Sequence, residues 1–296
     1  MANSSCSSRI VITGSIPQIS FSKMPQVMFR LFPSNVQIIL TKINDLSFPL
    51  GKIEVASWGA RGVPIQDFHL DKPINEYCKP MIKGKNVKRY ALVSSDQWLL
   101  YDFKKLYRPA FPELFESKKI VISKVTGNGG LVSSLDTEKY YTDDSLCCCI
   151  LKYSLAGLKQ PFFRKHKIKI ARSDIELSRK YDLSYVLGLL NSKLVNFYFR
   201  KMLSYDLNVY PESIEQLPIK NINFDDAKEK KIYKDIVDSV NKILKLNAEQ
   251  NQNKDNLNDN YYEVETEIEK TNTKIDNLVY ELYGLTEEEI KIIEAQ

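Results

Sequence analysis

The sequence predicts an α+β protein: a mixed or antiparallel strand-rich body followed by a C-terminal antiparallel helical hairpin. Three observations predict it. Short apolar runs bounded by turn residues recur between residues 50 and 170 with few long helical patterns among them. Residues 225–249 repeat Ile232, Ile236, Val240 and Ile243 on one helical face. Beyond them, Val264, Ile268, Thr271, Ile275, Leu278 and Leu282 recur at alternating spacings of four and three, an a/d seam. Charge divides at the same place. Residues 1–219 hold 31 Lys+Arg against 19 Asp+Glu, a net +12, whereas residues 220–296 hold 11 against 18, a net −7. With 296 residues, 43% of them hydrophobic, the chain is long enough for one large or two smaller domains.

In chain order, residues 1–44 read as an irregular lead-in punctuated by Pro17, Pro25 and Pro33. Residues 45–219 form the body. Strands are expected at 53–58, 97–101, 119–125, 145–152 and 162–170. In the last of these, Lys165, Lys167 and Lys169 fall on one side and His166, Ile168 and Ile170 on the other. The lysines stand about 6.6 Å apart, a spacing at which each could meet a separate phosphate. A solvated face that deters edge pairing carries the same pattern. The strand from Lys119 through Lys124 runs into the turn Gly127-Asn128-Gly129-Gly130, whose polar rim could reach DNA or could simply close a hairpin. Cys147, Cys148 and Cys149 lie in an apolar run and read as a buried strand. A helix is expected over 183–203, with Val186, Leu190, Leu194 and Phe197 on its core face and a bend near Asn191-Ser192. Residues 220–296 form the hairpin and a short last helix, with Gly284 as the stop of the second helix and Thr286 with Glu289 as a capping box.

The chemistry-bearing patterns are sparse. There is no G-x-G-x-x-G, G-x-x-x-x-G-K-[ST] or G-x-S-x-G. The two histidines, His69 and His166, lack metal-type spacing, and five cysteines form no paired framework, which suits a reducing cytoplasm. No run approaches a membrane span, so no membrane partner is expected. Asp102, Glu116 and Lys118 loosely imitate the acid, acid, lysine set of Mg2+-dependent nucleases. About two Glu-x-Lys triplets arise by chance at this composition, and they recur at Glu229/Lys231 and Glu289/Lys291. A basic body suits a polyanion, because each cation set against a phosphate releases counterions. A third reading is a helical adaptor whose hairpin docks a catalytic subunit.

The segment Lys79-Pro80-Met81-Ile82-Lys83-Gly84-Lys85-Asn86-Val87-Lys88-Arg89-Tyr90 resembles a signature of TaqI-like C-terminal specificity domains, the target recognition domains of adenine-specific DNA methyltransferases and of type II restriction-modification enzymes. Further matches follow in order at Leu50 to Ile53 with Ser57-Trp58-Gly59, the Lys119 to Gly127 strand, Leu189 to Leu194, Gln216 to Ile219 and Val279 to Thr286. The resemblance spans about residues 45–296, and it implies that residues 1–44 are the remnant of a linker to a missing methyltransferase domain. It implies a module that reads double-stranded DNA while a methyltransferase or endonuclease subunit, or a missing domain, does the chemistry on a flipped adenine. Catalytic residues and cofactors are expected on that partner, which would hold S-adenosylmethionine and Mg2+, and none on this chain, where the Asn-Pro-Pro-Tyr tetrapeptide of such methyltransferases is absent. Gly84 permits a tight turn from which Lys83, Lys85, Lys88 and Arg89 can project as phosphate clamps or, for Arg89, as a bidentate guanine reader; on the plainer reading Gly84 and Tyr90 are fold residues and only one or two of these cations touch DNA. The expected DNA contacts are Lys83, Lys85, Lys88, Arg89, Lys119, Lys124, Asn128, Lys165, Lys167 and Lys169.

Overall fold

A four-stranded antiparallel sheet divides the protein into two apolar layers. The computed structural model describes residues 32–126, 130–158, 170–204, 207–252 and 259–295. Asn128, Lys165, Lys167 and Lys169 lie outside the described residues.

In chain order the elements are α1 (Ser34–Asp45), β1 (Ser47–Pro49), β2 (Glu54–Trp58), β3 (His69–Leu70), β4 (Cys78–Ile82), β5 (Val87–Lys88), β6 (Ala91–Leu92), β7 (Trp98–Leu100) and α2 (Pro112–Glu116). They continue with β8 (Lys119–Ser123), β9 (Ser133–Asp136), β10 (Tyr141–Thr142), β11 (Leu146–Leu151), α3 (Arg172–Ser178), α4 (Leu183–Asn191) and α5 (Lys193–Tyr198). The chain then forms α6 (Pro211–Ile214), β12 (Pro218–Lys220), α7 (Ala227–Gln252), α8 (Asp259–Leu282) and α9 (Glu287–Glu294). Residues 34–44, expected to be part of an irregular lead-in, belong to helix α1 because Val36, Ile39, Leu40 and Ile43 share one face, and all four are buried.

The central sheet has the order β2-β11-β8-β9. Because side chains alternate, its residues sort by parity. Ile120, Ile122, Cys147, Cys149 and Leu151 face the helical layer, whereas Val121, Leu146, Cys148 and Ile150 face a smaller layer. The smaller layer is capped by α2 and by the mixed sheet β10-β4-β7-β3, in which β10 runs parallel to β4. The three consecutive cysteines are thus free, fully buried members of a strand covered on both sides.

Nine consecutive residues of α4 are buried, as expected of a helix at the centre of a core. Asp182 caps it by accepting from the Ser184 N–H at 2.6 Å. The expected long helix breaks at Ser192, whose hydroxyl accepts from Val195 N–H at 3.2 Å and restarts the chain as α5, followed by a π-turn at Phe199–Leu203. Helices α7 and α8 pair as the expected hairpin, with Ile232, Ile236, Val240 and Ile243 buried against Ile275, Val279 and Leu282. Gly188 lets α4 close on α7: a Cβ there would meet Ile236 at 2.8 Å. Gly284 adopts φ +61°, and the Thr286/Glu289 capping box is formed.

Among the described residues, no helix is long and apolar enough to cross a membrane.

Candidate nucleic-acid interface

One end of the central sheet gathers the cationic and aromatic groups that could meet a polyanion. Strand β2 ends at Trp58 and β8 at Ser123, where β11 begins at Leu146; the pairs Cys147 with Trp58 and Leu146 with Ser123 set these ends level. The turn before β11 is the hub. Asp143 Oδ1 accepts from the backbone N–H and the hydroxyl of Ser145. Ser145 Oγ in turn accepts from Gly84 N–H at 2.9 Å, and Ser145 O from Lys124 N–H at 2.9 Å. The Lys83 turn and the end of β8 are therefore stitched to one serine.

Glycine is required at Gly59, where the chain leaves β2 and passes the hub: a Cβ would fall 2.2 Å from Asp143 O. Gly84 is close-fitting too, with a Cβ position 3.3 Å from Ser145 O. The Lys83 turn closes through Asn86, whose Oδ1 accepts from Lys83 N–H at 3.0 Å while its own N–H donates to Lys83 O at 2.9 Å.

Lys124 Nζ stands 5.1 Å from the centroid of the Trp58 ring, which meets Tyr210 edge-on at 6.2 Å. A cation over an indole face is held by the ring quadrupole and stays open to a phosphate on its other side. Arg61 and Arg108 bond each other's backbones at 2.7 and 3.0 Å and converge on Asp144 Oδ2 at 3.2 and 3.6 Å. His69 Nε2 lies 3.8 Å from Asp143 Oδ2. Its pKa is lowered, chiefly by burial and then by the Lys83 charge, with Asp143 and Asp144 opposing. Four cations, Arg61, Lys83, Arg108 and Lys124, thus share this rim with two carboxylates.

The expected contacts divide three ways. Lys83 and Lys124 join the rim half-buried, and Lys85 and Lys88 are exposed on the adjoining turn and hairpin. Arg89 does not project with them. Its Nη2 lies 4.0 Å from Asp276 Oδ2 on α8, and its guanidinium sits 5.6 Å from the Tyr90 ring. Tyr90, buried and at φ +58°, turns the chain inward there. Asp276 also accepts from Lys193 N–H at 2.8 Å, and burial raises its pKa.

Lys119 is a correction. It is fully buried, its Nζ 2.5 Å from Asp136 Oδ2 and donating to Phe115 O at 2.6 Å. Sheet parity turns it inward, and the ion pair consumes the charge, so it has no surface to offer a phosphate.

The two carboxylates of the acid, acid, lysine set are each engaged by protein groups. Asp102 accepts from Lys104 N–H at 3.1 Å and lies 3.4 Å from Lys105 Nζ, while Glu116 accepts from the Tyr141 hydroxyl at 2.9 Å. Among the described residues, no group of three or more His, Cys, Asp or Glu could hold a metal ion. Sequence reasoning missed Arg61 and Arg108: single arginines in separate loops carry no local signal, and only the folded chain joins them, through the backbone pairing and the shared Asp144 carboxylate.

Residues 79–219 match the family model of the TaqI-like C-terminal specificity domain. The matched stretch begins within β4 and ends in β12, taking in Lys83, Lys124 and the Ser145 hub, whereas Trp58 and Arg61 lie before it. No curated protein matches the chain. The fold is similar to that in the solved structure titled "Structure of Type IIL restriction-modification enzyme MmeI in complex with DNA has implications for engineering of new specificities", at 13% sequence identity and a TM-score of 0.51. The similarity covers 82% of this chain and 34% of that one, so the chain spans about a third of its structural neighbour.

Proposed function

We infer that the chain is a DNA target-recognition module of a restriction-modification system, binding duplex DNA for an adenine-N6 methyltransferase or endonuclease partner that supplies the bond chemistry. One observation carries this reading: within the matched stretch, the Ser145 hub ties the Lys83 turn to Lys124, and the half-buried Lys124 rests on Trp58, outside that stretch, at a rim that also holds Arg61 and Arg108. Cations fixed by backbone bonds rather than left on mobile loops can hold register on a duplex, which is the task of phosphate contacts in sequence recognition. The solved neighbour supports it, since that protein is a restriction-modification enzyme seen with DNA.

The test is duplex binding measured from low to moderate salt with the wild type and with Lys83→Ala/Lys85→Ala/Lys124→Ala. Each lost phosphate contact lowers the slope of log affinity against log salt by about 0.9. A triple variant that binds more weakly with a slope shallower by about 3 supports the reading. Wild-type affinity that is indifferent to salt, or a triple variant that binds like the wild type, overturns it.

A further inference from the structure

We propose that the open edge of β9, where it faces α7, is a strand-addition site for an extended peptide of a partner chain, one alternating apolar and acidic residues.

The β5–β6 hairpin packs against the Ser133 end of that edge, and the hydrogen-bond phase of the sheet leaves its Leu135 end open. Ser123 N–H donates to Val132 O at 2.9 Å, so this pair is hydrogen-bonded, and by alternation so are Val121 with Ser134 and Lys119 with Asp136. The pairs between them, Ile122 with Ser133 and Ile120 with Leu135, direct the β9 backbone groups away from β8. The outward carbonyl of Ser133 is taken, accepting from Tyr90 N–H at 3.0 Å and from Asn191 Nδ2 at 3.0 Å. Those bonds establish the direction independently. Two residues on, the outward N–H and C=O of Leu135 meet no other backbone or side-chain group among the described residues. An unpaired donor and acceptor at a sheet edge is the template for an added strand.

The edge also has a room built around it. A cleft of about 720 Å³ runs between β9, the β6 strand and α7, with Leu92, Leu135 and Leu244 among its apolar walls. Ser134, 1% exposed, lines the same cleft, and its hydroxyl is a buried group without a hydrogen-bond partner. Lys118 and Lys245 stand exposed on opposite walls against the single carboxylate of Glu138. Leucine walls suit the apolar side chains of an extended segment, and the two lysines favour carboxylates between them. The site is separate from the basic rim, so it does not depend on DNA recognition.

The probe is an amidated hexapeptide alternating valine and glutamate, titrated into the full chain while amide hydrogen exchange is followed residue by residue; the control peptide alternates valine and lysine. The acidic peptide is expected to slow exchange at the Leu135 amide and to bind at least about fivefold more weakly to Lys118→Glu/Lys245→Glu, whose changes are both on the surface. The basic control should show the reverse order. A Leu135 amide that is already protected in the free chain, that is unaffected by the peptide, or that responds equally in the charge-reversed variant overturns the proposal.

Discussion

Glu54 gives the protein a pH dependence that one substitution should remove. The residue sits on β2, 1% exposed, and neither carboxyl oxygen has a hydrogen-bond partner. Burial pushes its pKa from 4.5 up to about 8. The folded chain therefore holds a proton that the unfolded chain releases above pH 4.5. Between these values the folded state binds more protons, so stability is complete below about pH 4.5 and falls as pH rises toward 8. At about 1.4 kcal/mol per pKa unit, the loss reaches roughly 3 kcal/mol at pH 7 and roughly 5 kcal/mol above pH 8. Glu54→Gln replaces the protonated acid by a neutral group of the same shape. Urea unfolding of both proteins at pH 5, 7 and 9 should show nearly equal stability at pH 5 and a widening advantage for the variant, about 3 kcal/mol at neutrality. An advantage that is the same at pH 5 and pH 9, or absent throughout, refutes the reasoning.

The buried ion pair predicts a different pattern. Lys119→Met leaves the Asp136 carboxylate without its cation and should cost about 3 to 5 kcal/mol in urea unfolding, whereas Lys119→Met/Asp136→Asn should recover part of the loss. Equal stability of the single and double variants would show that the pair is not coupled. Asp276 tests the tie between tail and body: Asp276→Ala removes the acceptor for the Lys193 N–H and should cost about 1 kcal/mol, with Asp276→Asn costing less because its amide oxygen can still accept. Unfolding curves that rank the two variants the other way would contradict that role.

How far the sequence carries depends on whether a feature is local. The helical hairpin, the Thr286/Glu289 cap and the Gly284 stop were legible because spacing and capping act within a few residues. The buried cysteine strand was legible for the same reason: six apolar residues in a row fit a strand covered on both faces. The helix at 34–45 was obscured by the prolines before it, although its own spacing is helical.

For the candidate interface, the sequence by itself offered the resemblance at residues 79–90, which fall inside the matched stretch, and placed the net positive charge in the body rather than the tail. Which cations share a surface was decided only by tertiary structure. Lys119 and Lys124 are five residues apart in one run, yet the first is sealed into an ion pair and the second rests on Trp58 at the sheet's end. Lys88 and Arg89 are neighbours, and one faces solvent while the other turns to α8. Arg61 and Arg108 are 47 positions apart and join through two backbone bonds. The reason is physical: local pattern sets backbone conformation and the alternation of faces, but the burial that neutralises one charge and leaves another free is set by residues distant in the chain that fold against it.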